Sequence, residues 1–225
     1  MFGVYKRSTA VTKTNNKRVK LKVCGLNNRE NILEVLECKP DYIGFIFYTG
    51  SPRFVGDLDS DFVKNVSSAK KVGVFVNESE IQILDCVSRY GLDFVQLHGD
   101  EPPEFCRLIS KMVPVIKGFQ INDEFNFLEV NKYENVCQYF LFDSKSESFG
   151  GSGKTFNHKK LSEYKLSKPF FLSGGIDLTS LRDISILNTQ IPLPAVLDVN
   201  SKFETSPGIK DINKLKELKN HELYC

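Results

Sequence analysis

Two residues of this 225-residue chain have the type and the placement for proton transfer, and each ends an apolar run. Cys24 closes Leu21-Lys22-Val23-Cys24 just before Gly25, and Asp143 closes Tyr139-Phe140-Leu141-Phe142-Asp143. A thiolate opposite a carboxylic acid makes a base and an acid, able to take a proton from one substrate atom and give one to another. A free cysteine more often packs as a small buried hydrophobe, so it is the position at a strand end before a glycine turn that singles out Cys24. A thiol with a pKa near about 8.5 is little ionised at neutral pH and needs a cationic or hydrogen-bonding neighbour. An aspartate near about 3.9 must be raised to work as an acid, and burial beside an anionic substrate acts in that direction.

Other polar groups also stand directly after apolar runs. Arg53 follows the turn Gly50-Ser51-Pro52, and its planar guanidinium can grip a carboxylate with two bonds. His98, in Gln96-Leu97-His98-Gly99-Asp100, reads as a supporting residue at the rim rather than as an acid or base. Ser173-Gly174-Gly175 precedes a short segment from Asp177 to Arg182, and glycine amides before a helix amino terminus suit a phosphate. Asn200-Ser201, after Asp198-Val199, would complete that cradle. Gly150-Gly151-Ser152-Gly153-Lys154-Thr155 ends like a nucleotide-binding loop, but Ser148 stands where that pattern requires glycine. It reads instead as a loop that closes over a substrate. His158 and His221 read as surface residues, and no pair of histidines or cysteines has the spacing of a metal site.

These groups must be brought together, and the spacing of apolar runs says how. Strands are predicted at 19–24, 42–47, 71–76, 94–97, 114–119, 139–142, 169–172 and 195–199. Amphipathic stretches alternate with them, for example Asn31 to Cys38 and Ile81 to Tyr90, and Lys210 to Lys219 reads as a closing helix. Strands without a polar face belong to a buried parallel sheet. Eight strand–helix units in one chain of this length predict a single α/β domain, a (β/α)₈ TIM barrel, ahead of a doubly wound open sheet. Strand ends of a barrel converge on one mouth, which would gather Cys24, His98, Asp143 and the glycines.

Composition narrows the functional classes. With 30 basic and 28 acidic residues the formal charge is +2, too small a field to attract nucleic acid or anionic lipid. Charge is uneven, since the first 20 residues hold six basic groups and no acid. Residues 1–18 are expected to form a disordered basic extension, and residues 19–225 the barrel. That extension lacks the apolar core of a signal peptide, and no apolar run reaches the roughly 18 residues of a membrane span. Six cysteines without CxxC pairing suggest reduced thiols in a cytoplasmic chain.

Read in order, several segments resemble phosphoribosylanthranilate isomerases of tryptophan biosynthesis. They are Lys22-Val23-Cys24-Gly25, Ser51-Pro52-Arg53-Phe54-Val55, Val72-Gly73-Val74-Phe75-Val76-Asn77, Val95-Gln96-Leu97-His98-Gly99-Asp100-Glu101, Phe142-Asp143-Ser144, Leu172-Ser173-Gly174-Gly175-Ile176, Asp198-Val199-Asn200-Ser201 and Pro207-Gly208-Ile209-Lys210-Asp211. The resemblance spans about residue 19 to residue 219. It implies a single barrel that, without a cofactor or metal, converts N-(5-phosphoribosyl)anthranilate to 1-(2-carboxyphenylamino)-1-deoxyribulose 5-phosphate by an Amadori rearrangement. It further implies Cys24 as general base, Asp143 as general acid, and Arg53 at the anthranilate end. Gly174 and Gly175 would hold phosphate, with His98 and Asp198 at further substrate positions. The partner would be a small phosphorylated substrate, and the molecule a monomer or homodimer. Where many members read Asp-Val-Ser-Ser-Gly-Val-Glu, this chain has Asn200, Lys202 and Phe203, so one side-chain hydroxyl is missing from the cradle while backbone N–H contacts survive. His158 stands where tryptophan is common. The related isomerase of histidine biosynthesis pairs two aspartates, which Cys24 opposes. Indole-glycerol-phosphate synthase would need a lysine cluster and an amino-terminal helix. A noncatalytic barrel would have no reason to keep both Cys24 and Asp143.

Overall fold

The computed structural model describes residues 18–144, 158–181, 184 and 194–221. The expected basic extension, apart from Arg18, and the loop at Gly150 to Thr155 lie outside those residues. Eight parallel strands form a closed barrel in sequence order: β1 Lys20–Val23, β2 Tyr42–Ile46, β3 Lys70–Phe75, β4 Phe94–Leu97, β5 Val115–Ile121, β6 Tyr139–Ser144, β7 Phe170–Leu172 and β8 Val196–Val199. The expected fold is borne out. Closure comes from β1 pairing with β8, in a register that sets Lys22 opposite Asp198.

Local chemistry explains where the helices start. Asn28 accepts a bond from the Asn31 N–H before α1 (Arg29–Glu37), and Asp59 caps α2 (Ser60–Lys64). Ser79 caps α3 (Glu80–Tyr90), which stops at the left-handed Gly91, while α4 (Pro103–Ser110) has proline in its first turn. After β5 the connection is a 3-10 helix, Phe127–Tyr133, and another, His158–Glu163, precedes β7. The closing helix covers Ile212–Lys219, two residues later than the apolar pattern suggested. Lys210 belongs instead to a small antiparallel hairpin, β9 (Glu204–Ser206) with β10 (Ile209–Lys210), turned at Pro207-Gly208. No helix among the described residues is long and apolar enough to cross a membrane.

Alternate residues of each strand point into the barrel, and they form layers. The lowest layer holds Tyr42, Val72, Ile116, Leu141, Phe171 and Val196, packed with Phe94 and Tyr139. Four of these rings form a closed circuit, Tyr42 to Phe94, Phe94 to Tyr139, Tyr139 to Phe171 and Phe171 to Tyr42, with centroids 5.2–6.0 Å apart. Each such pair adds about 0.5–1.5 kcal/mol beyond its burial, so the floor is stiff. Above it β1, β4 and β8 carry Lys22, Gln96 and Asp198, all buried. The other face of the strands packs against the helices in the main core.

Candidate active site

Two small cavities meet at the carboxyl ends of the strands. One, of about 60 Å³, is bordered by Cys24, Tyr48, Gln96, His98, Asp143 and Asp198. The second, of about 50 Å³, is lined by Ser144, Gly174, Gly175, Asn200, Ser201 and Lys202. Both include Asp143, Ser173, Asp198 and Asn200, so the two are one continuous site. Every expected site residue except Arg53 lines it. A larger cavity of about 620 Å³ opens at the opposite end of the barrel, where Lys70 is tied to Asp93 and Lys71 to backbone carbonyls, and it holds none of the expected residues.

Cys24 sits on β1's carboxyl end, and its thiol is buried. Burial pushes that thiol above its ordinary pKa, against the pull of the Lys22 and Lys210 ammonium groups. Lys22 stands two residues before it on the same face, donating 2.7 Å bonds to Asp198 Oδ2 and to the Gln96 side-chain oxygen, and its charge acts on the Cys24 thiol. Burial works against the Lys22 charge, but Asp198 and Cys24 more than offset it, and its pKa stands above the usual lysine value. A β-carbon at Gly44 would lie 2.7 Å from the Cys24 sulfur and 3.1 Å from Lys22 Cε, so only glycine on β2 leaves room for this pair.

Asp143, the last residue but one of β6, faces His98, whose Nε2 is 3.3 Å from Asp143 Oδ2. His98 is held by the loops beneath it. The buried Glu101 accepts bonds from the Asn77 and Gly99 amides at 2.8 and 3.2 Å and pairs with Lys117 at 2.9 Å. Asp198 leaves Oδ1 without a hydrogen-bond partner, and among the described residues no other buried side-chain polar atom is so placed. Such an atom is a standing place for a ligand donor. Gly174 and Gly175 have φ of +92° and +66°, conformations that glycine adopts without strain, and both line the second cavity. A helix begins just beyond, at Ser180, with Asp177 accepting from the Thr179 and Ser180 amides.

Arg53 is placed otherwise than a free carboxylate clamp. It is buried, and its Nε and Nη2 bond both oxygens of Glu204 at 2.8–3.0 Å, leaving Nη1 without a partner among the described residues. Glu204 also accepts from Lys210 at 2.6 Å, and Lys210 gives a 2.8 Å bond to the Asn200 side-chain oxygen. The Asn200 side-chain oxygen is therefore committed to Lys210, which leaves its NH₂ group and its backbone to face an anion. Lys22, Gln96, Glu204 and Lys210 are the residues that sequence reasoning left without a role.

Burial alone would raise the Glu204 carboxyl, but its bonds from Arg53 and Lys210 hold it below the ordinary value of 4.5. A carboxyl depressed in the folded state contributes stability that is complete above its unfolded pKa and is lost as pH falls through the folded one. Urea unfolding should therefore show stability falling from about pH 5 downward. Glu204→Gln, which leaves two buried cations unmatched, should cost about 3–5 kcal/mol at pH 7 and flatten that acid limb. An acid limb as steep as the wild type's would show that Glu204 is not its source.

Residues 21–221 match the family model described as N-(5'phosphoribosyl)anthranilate (PRA) isomerase. The N-(5'-phosphoribosyl)anthranilate isomerase of Parabacteroides distasonis is 44% identical over 202 residues, covering 88% of this chain and 90% of that protein. A crystal structure of phosphoribosyl anthranilate isomerase in complex with reduced 1-(o-carboxyphenylamino)-1-deoxyribulose 5-phosphate aligns with TM-score 0.73 and 31% identity, over 90% of this chain and 97% of that one. Monomers generated from the dimeric enzyme of Thermotoga maritima align with TM-score 0.72 and 30% identity, over 90% and 97% of the two chains. With a family model covering most of its length and relatives this similar, the chain belongs to the N-(5'-phosphoribosyl)anthranilate isomerase family and is an isomerase of that class.

Proposed function

We propose that this isomerase converts N-(5-phosphoribosyl)anthranilate to 1-(2-carboxyphenylamino)-1-deoxyribulose 5-phosphate, as a cytoplasmic step of tryptophan biosynthesis, with Cys24 as base and Asp143 as acid. The observation that carries the reading is the convergence of both groups, with the unpartnered Asp198 Oδ1, on one cavity continuous with a glycine-lined one. Asp143 gives its proton to the ribose ring oxygen as the C1–O bond breaks, and the anilino nitrogen lone pair forms the iminium. The iminium acidifies the C2 proton, and the Cys24 thiolate removes it to leave an enolamine. The enolamine reaches the keto product by loss of the O2 proton and gain of one at C1, so that no net proton is consumed.

Lys22 answers the requirement for a cation beside the thiol. Its ammonium is at its most useful when Cys24 is ionised, and a desolvated charge pair of this kind is stronger than one in water. Asp198 Oδ1 takes a substrate hydroxyl or N–H. The anthranilate carboxylate is assigned to Arg53, which Glu204 holds as a preorganised cation at the border of the site, near Gly25 and Asn200. The phosphate lies between Gly174-Gly175 and the Asn200-Ser201 backbone, with Lys202 beside it.

The test is turnover of N-(5-phosphoribosyl)anthranilate by the purified chain, together with growth rescue of a tryptophan auxotroph lacking this isomerase. Absence of both would end the proposal. A crystal grown in sulfate or phosphate should show the anion between the two loops. Gly175→Val, which puts a branched side chain where φ is +66°, should raise KM for the phosphorylated substrate by about 10-fold or more. An anion seated at Gly150 to Thr155 instead would revive the nucleotide-loop reading.

A further inference from the structure

The direction of one buried amide fixes a proton some distance away. The Lys22 ammonium can only donate, so the Gln96 atom 2.7 Å from it must be the oxygen. That leaves the Gln96 NH₂ facing His98 Nδ1 at 2.9 Å. An NH₂ group likewise only donates, so Nδ1 is the acceptor, and the single proton of the neutral imidazole lies on Nε2. Nε2 is the atom that faces Asp143 Oδ2 at 3.3 Å. Glycine at 118 leaves room for this edge of the ring, because a β-carbon there would stand 2.6 Å from Nδ1.

We infer that Gln96 is a positioning residue of the reaction, which converts the fixed orientation of Lys22 into the Nε2–H tautomer of His98. This rests on the reading of Asp143 as the acid. With Nε2–H donating to Oδ2, the carboxyl proton of Asp143 is confined to Oδ1, and the carboxylate left after proton transfer keeps a hydrogen bond. In the opposite tautomer the Nε2 lone pair would itself accept the Asp143 proton and draw it away from the substrate. Lys22 thus serves both ends of the site, through its charge near Cys24 and through the Gln96 amide and His98 to Asp143.

Imidazole-¹⁵N-labelled protein distinguishes the tautomers by NMR, and the chain has only three histidines. His98→Asn identifies the resonance. At about pH 8.5, where an ordinary imidazole is neutral, His98 should be protonated at Nε2. Gln96→Glu keeps the shape but turns the atom facing Nδ1 into an acceptor, so the proton should move to Nδ1. In that variant kcat should fall by about 10-fold to 10²-fold, with KM changed far less, because acid catalysis is impaired and binding is not. An Nδ1–H tautomer in the wild type, or an unchanged tautomer in Gln96→Glu, would overturn the inference. The wild-type spectrum decides the matter even if the variant does not fold. It is read on the resting protein, so failure of Asp143 as the acid, seen as near-normal turnover of Asp143→Asn, remains a separate result.

Discussion

Cys24→Ala should lower kcat by about 10² to 10⁴ while KM for N-(5-phosphoribosyl)anthranilate stays within a few-fold, the loss expected when a positioned base is removed. The separation of effects follows from placement. Cys24 is buried at the end of β1, and the groups read as gripping the carboxylate and phosphate come from other elements. Cys24→Ser should recover little of the lost rate, because a hydroxyl in a site that already pushes a thiol's pKa upward is far too weakly acidic to ionise. Steady-state kinetics on the two variants check this, and turnover of Cys24→Ala near the wild-type rate would remove Cys24 from the mechanism.

The second large effect concerns stability. Lys22→Met should cost about 3–5 kcal/mol, because it leaves the buried Asp198 carboxylate without its cation. The Lys22 pKa is raised above 10.5 in the folded state, so its contribution is complete below that value and is lost only as pH rises through the folded pKa. Urea unfolding at pH 7 and pH 9 should then give the same deficit. The double variant Lys22→Met/Asp198→Leu should regain most of the stability, since apolar replacement of a whole buried pair is often neutral. It should regain none of the activity, because it lacks both the cation beside Cys24 and the Asp198 carboxylate read as a substrate contact. Recovery of both together would mean that Lys22 only holds the barrel interior.

The barrel was legible because both faces of a parallel strand are buried, so each strand shows as a short apolar run between polar segments. Cys24, His98 and Asp143 were legible for the same reason, as polar groups where such runs stop. Lys22 and Gln96 were harder to read. A lysine inside Leu21-Lys22-Val23 breaks an apolar run, and nothing nearby says that its partner is Asp198, 176 positions along the chain. A signal was present nonetheless. Lys22 and Cys24, Gln96 and His98, and Asp198 and Asn200 are each two residues apart, the spacing that puts neighbours on one face of a strand. The hairpin of β9 and β10 was hidden by the helical pattern that follows it, although Pro207-Gly208 marked the turn. The pairing of Arg53 with Glu204 joins residues 151 apart, and only the closed barrel brings them together.

That closure has a kinetic meaning. The reacting thiol lies near the beginning of the described chain, whereas Asp198, Glu204 and Lys210 all lie within its last stretch. Contacts of such long separation form late, since the loop between them must be closed before they return any energy. A chain still leaving the ribosome with seven strands formed would have the floor of aromatic rings largely in place but no eighth strand opposite Lys22. Chemical competence would then arrive in a single event, when the last strand meets the first, and the enzyme would have no partly active precursor.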